Sequence, residues 1–117
     1  MKLEDQVCSL SLAKRLKELG VKQDSFFVWD EDSHLFSDGE GGIRMNHHDG
    51  VGTAAFTVAE LGQMFPPDFC FERHLGDWWV MWADGRFDDR LVFRPSTEAD
   101  ARAKMLIHLI EKGLVTP

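Results

Sequence analysis

The chain has 117 residues, 44% hydrophobic and 28% charged, proportions that suit one folded domain over 1–117 rather than a disordered segment. Its formal net charge of −7 is concentrated between residues 24 and 89, where 14 acids face 3 bases, which argues against nucleic acid as a partner. No apolar run approaches the ~20 residues needed to cross a bilayer, so no membrane partner is expected.

The N-terminus "MKLEDQVCSL" carries acids where a secretory leader would need an apolar run. Two cysteines, Cys8 and Cys70, make no disulfide framework, and a reducing cytoplasm is the expected setting. The first helix is "SLSLAKRLKELGV", with Ser9 as N-cap and Leu12, Ala13, Leu16 and Leu19 at helical spacing. Gly20 suits the left-handed position after the last turn, with Val21 folding back on it. Next, "SFFVWD" reads as a strand over 25–30, and "HLFS" at 34–37 as its hairpin partner.

Residues 38–55 hold five of the ten glycines and read as a long loop, with a short strand at Ile43–Met45. "FTVAELGQMFPP" then gives a capped helix. Thr57 and Glu60 form a capping box, Phe56 can staple onto Leu61, and Pro66 and Pro67 end the segment. Three strands follow at 69–74, 78–83 and 90–94. The last helix opens at Thr97, carries Leu106, Leu109 and Ile110 as its stripe, and stops at Gly113–Leu114. The simplest architecture is α+β: an antiparallel sheet with two longer helices, N- and C-terminal, and one short helix packed on one face.

The strand "DWWVMWA" breaks the alternation expected of a sheet covered on one side. Trp78, Val80 and Trp82 oppose Trp79 and Met81, just as Phe26 and Val28 oppose Phe27 and Trp29. Three explanations stay open: helices and the glycine loop wrap both faces, a second subunit covers one, or one is a stacking platform for a planar ligand.

Chemistry-bearing patterns are sparse. His47, His48 and Asp49 of "NHHDG" are suitable metal ligands, yet adjacent histidines chelate one ion poorly and no metal-binding spacing accompanies them. Cys8 and Cys70 read as structural thiols, and the Asp pairs as turn residues. The glycines of "DGEGGIR" lack the G-K-[ST] ending of a phosphate loop. No catalytic residue and no cofactor is assigned.

Three blocks, "LEDQVCSLSLAKRLKELGVKQDSFFVW", "FTVAELGQMFP" and "TEADARAKMLIHLIEKGL", occur in this order over 3–29, 56–66 and 97–114. Together they resemble a widespread family of small uncharacterised phage and prophage proteins. The resemblance implies a viral accessory protein in the cytoplasm of an infected bacterium, with a role against host defence, and it carries over no catalytic residues.

The leading expectation is a non-enzymatic, homo-oligomeric binding protein that sequesters a small nucleotide-like immune signal. Trp29, Trp78, Trp79 and Trp82 would stack, and Arg44, Arg73 and Arg86 would contact phosphate. An alternative is an acidic, anti-CRISPR-like inhibitor that sets residues between Asp24 and Asp89, including Asp30, Glu31 and Asp32, against a basic groove of a host defence protein. A metal-dependent enzyme centred on His47, His48 and Asp49 is the third.

Overall fold

A computed structural model describes residues 2–30, 42–66 and 97–117, together with the backbone of 69–74, 77–82 and 87–93. The hairpin partner expected at 34–37, Glu31, Asp32 and Arg86 lie outside the described residues, as do the side chains of Cys70, Arg73, Trp78, Trp79 and Trp82.

A single 3-10 turn, Leu3–Asp5, precedes helix α1 (Leu10–Glu18), strands β1 (Phe27–Asp30), β2 (Gly42–Met45) and β3 (Thr53–Ala54), and helix α2 (Val58–Gln63). Strands β4 (Phe69–His74), β5 (Asp77–Trp82) and β6 (Phe87–Phe93) follow, and helix α3 (Glu98–Glu111) closes the chain. The class is α+β with antiparallel pairing throughout the described strands. The strands sort into two three-stranded sheets, β2-β1-β3 and β4-β5-β6. The segment 38–55, expected to be a loop with one short strand at Ile43–Met45, has that strand as β2 and contributes a second, β3, to the first sheet.

Local chemistry sets the helix ends. Ser9 occupies the N-cap of α1, but its side chain makes no capping bond; instead its backbone N–H donates to Asp100 Oδ1 at 2.7 Å, tying α1 to the first turn of α3. At the other end, Gly20 adopts φ +93°, a region costly for any residue with a Cβ. Its N–H and that of Val21 then reach the carbonyls of Lys17 and Leu16 (3.1 Å each). The α3 terminus repeats this pattern at Gly113 and Leu114, whose N–H groups donate to Ile110 and Leu109. In α2 both halves of the capping box form, Glu60 N to Thr57 Oγ1 (3.2 Å) and Thr57 N to Glu60 Oε1 (2.9 Å).

The core lies between the first sheet and the helices. Trp29, Ile43 and Ala54 from the sheet meet Ala13 and Leu16 of α1, Leu61 of α2 and Ala99, Ala103 and Leu106 of α3, with Val7, Cys8 and Phe56 between them. Each large apolar side chain fully hidden here contributes roughly 1.5–3 kcal/mol. Along α3, Ala101, Met105 and Leu109 are buried as well, and the helix runs beside β5 and β6. The stripe expected at Leu106, Leu109 and Ile110 is thus only part of the buried surface of α3, which has the second sheet as its other neighbour.

Candidate functional site

The first sheet settles what covers each side of β1. Phe27 and Trp29 turn toward the helical core, and Ile43 sits opposite Trp29. Val28, on the reverse side, is buried too, because the turn that ends at Gly52 closes over it. Gly52 has φ +90°, and a Cβ there would stand 2.8 Å from the Trp29 carbonyl oxygen. Only a glycine permits that approach. Phe26, two residues before Val28, extends past this cover and is 71% exposed.

Arg44 anchors the same turn from beneath. It stands opposite Val28 and its side chain is 10% exposed. Its Nε donates to Asp30 Oδ2 at 2.7 Å, Nη1 to the Met45 carbonyl at 2.9 Å, and Nη2 to the Val51 carbonyl at 3.2 Å. Asp49 Oδ1 lies 3.5 Å from Nη2 and also accepts the Val51 N–H at 3.0 Å. The hydrogen bond to Asp30 raises the Arg44 pKa above its ordinary value. The Val51 N–H, with Arg44 second, lowers that of Asp49. A phosphate could reach Arg44 only by displacing carboxylates already bound to it.

The "NHHDG" segment is the tip of this turn. His48 takes φ +55°, supported by its N–H donating to Asn46 Oδ1 at 2.8 Å, while the Asn46 side-chain amide holds the Ser25 carbonyl at 3.0 Å. His47, His48 and Asp49 are exposed. Among the described residues, no group of three His, Cys, Asp or Glu side chains is placed to hold a metal.

Trp29, expected to stack on a ligand, is instead 9% exposed, with its indole N–H donating to the Cys8 carbonyl at 2.9 Å. A base could reach this ring only by opening the core. Cys8 itself is fully buried, and burial pushes its thiol pKa up to about 12, which leaves negligible thiolate at neutral pH.

Arg73, Trp78, Trp79 and Trp82 lie in the second sheet, and Arg86 is outside the described residues. The register of that sheet pairs Arg73 with Trp78 and Trp78 with Phe93, so these three positions form one row across β4, β5 and β6. The next row joins Glu72, Trp79 and Val92, and Trp82 pairs with Phe69. Trp29 belongs to the other sheet and joins none of these rows.

A feature that the sequence reading did not single out is a groove of about 590 Å³ between residues 24–26 and α2. Asp24, Phe26, His48, Glu60 and Met64 are among its lining residues, and none of the described lining residues is Lys or Arg. Glu60 is fixed there: besides its capping bond, its Oε2 accepts the Phe26 N–H at 3.0 Å. The available signal was Phe26 itself, an aromatic residue in phase with Val28 but one step beyond the reach of Gly52.

Among the described residues, no helix is long and apolar enough to cross a membrane. No family model, curated protein or solved structure matches the chain.

Proposed function

We propose that this chain is a non-enzymatic binding protein of phage origin that counters a bacterial defence by sequestering a nucleotide-type signal on its second sheet. The observation that carries this reading is the cross-strand pairing of Arg73 with Trp78, continued by Phe93. Such a row combines the two side-chain types that a nucleotide demands. An indole offers a stacking surface worth about 1–3 kcal/mol per base, and a guanidinium pairs with phosphate oxygens in a fork. The viral and cytoplasmic setting comes from the three sequence blocks at 3–29, 56–66 and 97–114.

Engagement of Arg44 inside the first sheet leaves Arg73 and Arg86 as the phosphate partners within 24–89. Arg90, Arg94 or a second subunit of a homo-oligomer supplies the remaining positive charge. Calorimetric titration against cyclic mononucleotides, cyclic dinucleotides and ADP-ribose-type nucleotides tests the proposal. Saturable heat from at least one class supports it, and silence from all of them removes it.

A second reading is an acidic inhibitor of a host defence protein. It is favoured by the groove beside Phe26, where exposed aromatic surface adjoins the carboxylates of Asp24 and Glu60.

A further inference from the structure

We infer that the groove between Asp24–Phe26 and α2 docks a short segment of a partner protein carrying a lysine or arginine next to an apolar residue. This inference rests on the acidic-inhibitor reading and gives that reading a location. Three observations define the occupant. The first is charge: the described lining residues include Asp24 and Glu60 and no Lys or Arg, within a stretch where 14 acids face 3 bases. An anionic ligand is disfavoured there, and a cationic one is drawn in.

The second is the state of Glu60. Oε1 accepts from Thr57 N and Oε2 from Phe26 N, which holds the carboxylate in one orientation. Each carboxylate oxygen has two acceptor positions, so one on each atom is left by these bonds for an incoming ammonium or guanidinium. Because the capping geometry already fixes this side chain, little rotamer freedom is lost when a cation arrives.

The third is the apolar wall. Phe26 is the most exposed large hydrophobic side chain among the described residues, and its in-phase neighbour Val28 is covered by the chain's own turn. Met64, half-buried on the opposite wall, offers an adaptable thioether surface. An aliphatic side chain adjacent to the cation would cover Phe26 while the charge meets Glu60 and Asp24. The volume of about 590 Å³ is in the range of sites that take a few side chains.

The experiment uses the full chain and a library of labelled heptapeptides, each with a Lys-Leu or Arg-Leu step among randomised positions, read by fluorescence anisotropy. A matched library with Glu in place of the basic residue is the control. Phe26→Ala and Asp24→Lys alter exposed positions, and thermal melts verify that both variants fold. The expected result is saturable binding of basic-apolar peptides, no binding of the acidic library, and a loss of about tenfold or more in each variant. If basic peptides bind wild type and both variants equally, the groove is not the site, although the acidic-inhibitor reading survives. If no basic peptide binds wild type, both fail.

Discussion

The indole N–H of Trp29 donates to the carbonyl of Cys8 across 2.9 Å, and the N–H of Cys8 donates in turn to the carbonyl of Phe56 at 2.9 Å. Cys8, just ahead of α1, is thereby clamped to β1 on one side and to the entry of α2 on the other. Trp29→Phe keeps most of the ring in the core but leaves the Cys8 carbonyl without this donor. The expected cost is about 1–3 kcal/mol, seen as a lower urea midpoint with an unchanged slope.

The Cys8 thiol should behave as buried hydrocarbon. With its pKa pushed up to about 12 by burial, it should react with an alkylating reagent at pH 8 on the order of a thousandfold more slowly than in urea. The measurement belongs in a Cys70→Ser background, so that one thiol reports.

Gly52→Ala places a methyl group 2.8 Å from the Trp29 carbonyl oxygen at a φ of +90°. The backbone must move or the turn must lift from Val28, at a cost of about 1–3 kcal/mol. Hydrogen exchange at Ala54 and Ala55, the residues that follow the turn, would rise with the thermal loss. Gly50→Ala makes a useful comparison, since no atom stands within 4 Å of its added Cβ and only the φ of +77° opposes it. Its penalty should be the smaller.

Acid should loosen the "NHHDG" turn in a specific way. The Asp49 carboxyl titrates below its unfolded value of 3.8, chiefly because of the Val51 N–H. Its stabilising contribution is therefore whole at neutral pH and disappears as pH falls through the lowered folded value. In a pH titration followed by the Val51 amide resonance, the midpoint in wild type should lie below the ordinary 3.8. Asp49→Asn should remove that acid step.

Much of the fold was readable from short-range chemistry. The T-x-x-E box of α2, the glycine ends of α1 and α3, and the strands at 69–74 and near 78–83 follow from spacings of a few residues. The faces of β1 did not. Periodicity places Phe26 with Val28 and Phe27 with Trp29, but it does not say that a turn 24 residues later covers Val28 and stops short of Phe26.

Arg44 shows the same limit. Its type and position suit a phosphate contact equally well, and the alternative becomes visible only with the antiparallel register, which pairs Arg44 with Val28 and so makes Asp30, 14 residues away in sequence, its diagonal neighbour. The groove beside Phe26 was missed for the corresponding reason. Glu60 suits its place in the capping box, and nothing local to α2 announces that its second oxygen reaches back to Phe26, just ahead of β1.

Calorimetry of wild type and Arg73→Gln against the nucleotide panel tests the central proposal most directly. Wild type should give saturable heat with at least one cyclic or ADP-ribose-type nucleotide, and loss of the guanidinium opposite Trp78 should weaken that binding by about tenfold or more. Heat from no member of the panel, or an affinity that Arg73→Gln leaves unchanged, would contradict a ligand held on the Arg73–Trp78–Phe93 row.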